Sequence, residues 1–143
     1  CLMFTGCSNS ETNSTSRGLT DFAHIEEEYL ATIDSLNWPD GITLPDKLED
    51  EDTGASFQVG YGETRASYLW EYSWMKEWLD TYNTDPERAE KALEELEKAF
   101  DMPYMGIDRC DDATRNYLRE NIDKAKLGDP SGFTESIRAN YAN

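Results

Sequence analysis

Glu71 has the clearest chemical potential in this chain, because its neighbours at helical spacing are nearly all apolar or aromatic. At about 100° per residue, Ala66, Tyr68, Trp70, Tyr72, Trp74, Met75, Trp78, Leu79 and Tyr82 cover a wide arc of one helix. Glu71 falls between Trp78 and Tyr82 in the middle of that arc. A buried carboxylate must find a cationic partner or hold its proton at a raised pKa. Arg65, Arg109, Arg115 and Arg119 are the candidate partners. Two uses follow: an ion pair that fixes helix register, or a ligand-binding or acid–base group, such as the acid of a small hydrolase acting on envelope sugars.

The ladder Trp70, Trp74 and Trp78, with Tyr68 and Tyr72 beside it, would line a groove for a sugar ring or a cationic ligand, or would simply be core. Asp50 and Asp52, in the run Glu49-Asp50-Glu51-Asp52-Thr53-Gly54, and the cluster Asp108, Asp111 and Asp112 carry oxygens of the kind calcium takes. That pattern suits a calcium-dependent surface-binding protein. The spacing departs from an EF-hand, however, since with Gly54 at the turn position the closing glutamate's place is taken by Gly60. A solvated acidic surface is the competing reading. His24 is the only histidine, which excludes a zinc centre built on several imidazoles. Gly60-Tyr61-Gly62 lacks the lysine that phosphate cradling needs, no nucleophilic triad assembles, and no cofactor is indicated.

The elements that must position these groups read as mainly helical: four to five helices bundled around a central aromatic one. Thr20 can cap a first helix carrying Phe22, Ile25, Tyr29, Ile33 and Leu36 on one stripe, with Leu30 alongside and an acidic back. Trp38-Pro39-Asp40-Gly41 stops it by Asn37. Ile42 to Glu63 follows as a long irregular connection, because Pro45, Gly54, Gly60 and Gly62 argue against helix. One short extended segment fits Ser56 to Tyr61, and Ile42, Leu44, Leu48, Phe57, Val59 and Tyr61 are expected to pin the connection to the body. The central helix spans about Thr64 to Tyr82, with Lys76, Asp80, Ser73 and Glu77, and Leu69 among them, on its solvated face. Asp85-Pro86 opens a third helix with a stripe of Ala89, Ala92, Leu93, Leu96 and Phe100. Asp111 or Asp112 opens a fourth, ended by Gly128, and Asp129-Pro130 a short fifth bearing Phe133, Ile137 and Tyr141.

Residues 1–18 read differently from this helical domain, 19–143. Leu2-Met3-Phe4-Thr5-Gly6-Cys7 is an apolar stub closing on small residues and a cysteine, followed at once by the polar tract Ser8 to Ser16. It resembles the lipobox of bacterial lipoproteins. The resemblance implies that Cys7 is the lipidation site and first residue of the mature protein, and that the stub is the end of a signal peptide whose start precedes this sequence. It further implies that residues 8–18 form a flexible tether and that the domain is held on the outer face of a bacterial membrane by lipid. Phe4 stands where that pattern usually has Leu. Cys110 would then be left without an intramolecular partner, whereas a Cys7–Cys110 disulfide would contradict lipidation. The stretch Gly60-Tyr61-Gly62-Glu63-Thr64-Arg65-Ala66, leading into Trp70-Glu71-Tyr72-Ser73-Trp74, also resembles a segment of small uncharacterised extracytoplasmic lipoproteins of Gram-positive bacteria. That likeness implies a cell-surface protein and no particular activity.

The formal net charge is -17, and the region Leu19 to Asp52 holds eleven acids against Lys47 alone. Such a body is repelled by phosphate backbones, which makes nucleic acid a poor partner. Together these readings describe an acidic, membrane-anchored extracytoplasmic lipoprotein, a non-enzymatic binding or accessory module that meets a protein or cell-envelope partner through its long connection or its aromatic helix.

Overall fold

A computed structural model describes residues 18–141 of the chain. Helix α1 (Phe22–Ser35) begins at Asp21, whose carboxylate accepts the His24 N–H at 3.0 Å, one residue later than the expected cap at Thr20. Thr20 is instead spent in strand β1 (Leu19–Thr20), which pairs antiparallel with β2 (Phe57–Gln58), Leu19 opposite Gln58 and Thr20 opposite Phe57. The expected extended segment is therefore present, and its partner is the stretch just before α1. At the other end of α1 the Trp38 indole N–H donates to the Ile33 carbonyl at 2.9 Å, satisfying an end-of-helix acceptor.

The connection from α1 is pinned less widely than its apolar residues suggest. Leu48 is buried, and its N–H donates to the Glu26 carboxylate at 3.0 Å. Phe57, Val59 and Tyr61 are half-buried, but Ile42 and Leu44 remain exposed. With β2 already tied to β1, Leu48 and Phe57 hold the segment and the earlier pins are not needed.

Helix α2 (Tyr61–Thr81) starts three residues before the expected Thr64. Gly60, at φ +98°, turns the chain out of β2 in a conformation that favours glycine. The first orphan N–H groups of α2 find no local side chain. The Glu28 carboxylate of α1 accepts them instead, from Gly60 at 2.9 Å and Gly62 at 3.0 Å. Gly62 lies in the first turn because nothing larger fits: a Cβ there would stand 1.9 Å from the Ile25 carbonyl oxygen. Read along the chain, this glycine breaks a helix; in space, it lets two helices touch.

That contact makes α2 the axis of the molecule. Against α1 it buries Ala66 with Ile25, Tyr29, Ile33 and Leu48. On its other flank Trp70, Trp74, Met75 and Trp78 pack with α3 (Pro86–Glu97), α4 (Asp112–Lys126), α5 (Ser131–Asn140) and two 3-10 turns at Lys98–Asp101 and Pro103–Met105. The expected solvated face is narrower than the sequence suggests, only Lys76 and Asp80 being exposed. Ser73 is buried and returns its hydroxyl to the Leu69 carbonyl, Leu69 packs against the α1 side, and Glu77 is paired with Arg88 of α3. The Asp85 and Asp111 caps fall where expected, accepting from Arg88 N–H and Thr114 N–H, while at α5 the N-cap is Pro130 and Asp129, one residue before it, accepts the Ser131 N–H. Over the described residues the result is a five-helix bundle with a small two-stranded sheet. Among the described residues no helix is long and apolar enough to cross a membrane.

Candidate functional site

Glu71 is buried, as its place in the aromatic arc requires, but among the described residues it has no ion-pair partner. The Tyr104 hydroxyl donates to one carboxylate oxygen at 2.7 Å and the Tyr141 hydroxyl to the other at 3.2 Å. Three segments converge to build this: mid-α2 supplies the carboxyl, the second 3-10 turn supplies Tyr104, and the residue just after α5 supplies Tyr141. All four expected arginine partners are occupied elsewhere. Arg65 bonds Glu51, and Arg109 reaches Glu63 at 2.6 Å. Arg115 holds Asp112 and the carbonyls of Met105 and Cys110, while Arg119 holds Glu97 and lies over the Phe100 ring.

Burial pushes the Glu71 carboxyl above the usual carboxylate range, and the two tyrosine hydrogen bonds only partly offset it. Burial and the nearby carboxylate in turn raise the Tyr104, Tyr141 and Tyr68 hydroxyls, so each stays protonated and able to donate near neutral pH. Glu95 shows the opposite solution. It too is buried, yet Lys91 at 2.8 Å and Lys98 at 2.9 Å outweigh the cost of burial and hold its carboxyl below the usual range. Where this protein needs a buried carboxylate only for packing, it brings lysines. Glu71 has tyrosines, and it borders an open space.

That space is a cleft of about 790 Å³ between α2, α4 and α5, lined by Tyr68, Glu71, Met105, Tyr117 and Tyr141, with Arg65 also in its wall. Its volume is that of a small-molecule site. Among the described residues Glu71 is the sole acidic one in the lining. Of the two readings of the tryptophan ladder, core rather than groove holds, and the open space is lined by tyrosines instead. Trp70, Trp74 and Trp78 are core residues at 1%, 4% and 3% exposure. Trp78 stacks on Tyr82 and meets Phe133 edge-on, the Trp74 indole donates to the Asn37 carbonyl at 3.0 Å, and the Trp70 indole N–H is buried without a partner. Sequence periodicity places a residue on a helix but not on a wall: Tyr117 and Tyr141 come from other helices, and only the fold brings them to Glu71.

The acidic candidates stand apart. Asp50, at φ +64°, and Asp52 are exposed in the long connection, where Asp52 accepts the Gly54 N–H at 2.9 Å. Asp111 is the α4 cap, Asp112 pairs with Arg115, and Asp108 is exposed. Among the described residues no three His, Cys, Asp or Glu side chains gather into a group able to hold a metal ion. Among the described residues Cys110 has no disulfide partner, and its half-buried thiol is directed at the Met105 sulfur, 3.8 Å away; the alternative Cys7–Cys110 pairing falls outside the described residues. Cys7, the expected lipidation site, and residues 8–17 of the expected tether lie outside the described residues. No protein-family model, curated protein or solved structure matches the chain.

Proposed function

We propose that this protein is a non-enzymatic binding module whose ligand site is the Glu71 cleft, carried on the outer face of a bacterial membrane by a lipid on Cys7. The observation that carries the binding half is the buried Glu71 carboxyl at the edge of a small-molecule-sized cleft, held by two tyrosine hydroxyls and no cation. A raised carboxyl also suits a general acid, but glycoside hydrolysis uses a pair of carboxyl groups and the lining supplies one. Binding is the reading that uses every feature of the cleft. Trp70, Trp74 and Trp78 of α2 are buried and offer no surface to a macromolecular partner, so contacts with envelope components fall to the cleft and to the exposed connection around Ile42 and Leu44. The anchoring half rests on the lipobox resemblance at Cys7 and the polar tract behind it.

Each half has its own experiment. Expression of the full-length gene in bacteria, followed by mass spectrometry, is expected to give a chain cleaved before Cys7 with added acyl mass; an unmodified Cys7 thiol ends the anchoring reading. For the cleft, Ala139 on α5 is exposed and borders the opening, so Ala139→Trp fills it without touching the core. Small-molecule probes that shift NMR signals of Tyr68, Tyr117 or Tyr141 should lose that effect in Ala139→Trp. If no probe perturbs those tyrosines, the cleft is not a binding site.

A further inference from the structure

We infer that the ligand of this cleft is an organic cation, a primary or quaternary ammonium group seated against Glu71 among Tyr68, Tyr117 and Tyr141. The inference rests on the binding reading above and adds the chemical class of the ligand. Three observations point the same way. First, Glu71 is a nine-tenths-buried carboxyl whose two hydrogen bonds come from neutral hydroxyls, so both oxygens are oriented and, among the described residues, no cation is paired with it. Glu95, a carboxyl covered by two surface lysine side chains, shows the other way this molecule offsets such a cost. An ammonium ion entering the cleft would supply what Lys91 and Lys98 supply there.

Second, the walls suit a cation. Aromatic faces attract ammonium groups through the ring quadrupole, and the attraction grows when the cation is desolvated. Three tyrosines with the Met105 thioether give such a lining, and Arg65, the one cationic residue in it, is already neutralised by Glu51, to which Tyr61 also donates. Third, the long-range field favours this sign of ligand: with a net charge of -17 the molecule draws cations towards itself and repels anions. A neutral sugar would use the stacking surface but would leave Glu71 to keep its proton.

The test uses the full chain and four probes: choline, ethanolamine, 3,3-dimethylbutan-1-ol as choline's neutral isostere, and N-acetylglucosamine as a neutral sugar. Binding is followed by NMR at the cleft tyrosines and by calorimetry up to about 10 mM probe. At least one of the two ammonium compounds should bind, and more tightly than the neutral isostere by about tenfold; which of the two binds better identifies the headgroup type. Glu71→Gln should erase that preference while a thermal melt shows the fold retained. Should the variant fail to fold, the cation-to-isostere ratio in the unaltered protein still decides the question. If the isostere or the sugar binds as tightly as the ammonium compounds, and Ala139→Trp abolishes it, the cation inference is overturned while the binding reading stands. If none of the four perturbs the cleft, both fall.

Discussion

At the scale of single residues, the protein sets two buried carboxyls against each other. Glu95 is ionised and neutralised by lysines on its own and the following turn; Glu71 is kept from its neighbours' cations and given tyrosine hydroxyls. The folded chain holds the Glu71 proton more tightly than the unfolded chain does, because burial raises its pKa. This group therefore costs no stability below the ordinary carboxyl range, and its cost grows as pH rises from there through its raised folded value. The titratable groups coupled to it, Tyr68, Tyr104, Tyr141 and the Cys110 thiol, all have raised pKa values and do not ionise in that window. Urea denaturation of wild type and Glu71→Gln across acid to neutral pH should show the variant gaining stability relative to wild type as pH rises, with little difference at the acid end. A gap that does not change with pH would falsify a raised Glu71. Tyr104→Phe removes the shorter of the two hydrogen bonds to a buried group and is expected to cost about 1–3 kcal/mol, read from the shift in urea midpoint. That Glu71 is buried was legible in the sequence from its helical angle. That its partners are tyrosines was not, since Tyr104 and Tyr141 lie 33 and 70 positions away and nothing local announces them.

At the scale of elements, the helices were read from periodicity and caps, and the errors cluster at one junction. Asp85, Asp111 and Asp129 act locally, within three residues of the N–H groups they bind, so sequence suffices to find them. The start of α2 depends instead on Glu28, more than thirty positions earlier, and on Gly62 being small enough for α1 to approach. A residue scored as a breaker thus becomes the contact point of the two helices. Gly62→Ala forces a methyl group into the Ile25 carbonyl and is predicted to destabilise the fold by about 3 kcal/mol or more, beyond the usual cost of an overpacked site because backbone must move. A thermal melt near that of wild type would show that α1 and α2 can separate without penalty.

For the whole molecule, α2 serves as an axis with α1 on one side and α3, α4 and α5 on the other, so nearly all of its aromatic residues are enclosed. Intrinsic fluorescence should report this directly. Trp70, Trp74 and Trp78 are predicted to emit blue-shifted light resistant to acrylamide, and only half-buried Trp38 should be quenched. Trp38→Phe is expected to remove the quenchable fraction; strong quenching that survives it would mean that α2 is exposed in solution. The same enclosure explains why the cleft is not lined by the tryptophan ladder: the ladder is spent on holding the described helices together, and the cleft opens beside it.

Periodicity, caps and composition by themselves determined the helical class, the order and approximate bounds of the helices, the acidic character of the body and the burial of Glu71, because each depends on residues close together along the chain. The tertiary structure alone decided which side chains meet that carboxyl, which aromatic residues face open space, and where α2 begins. Those outcomes depend on contacts between distant segments, and a hydrogen bond or a steric limit across such a gap leaves no local pattern from which to read it.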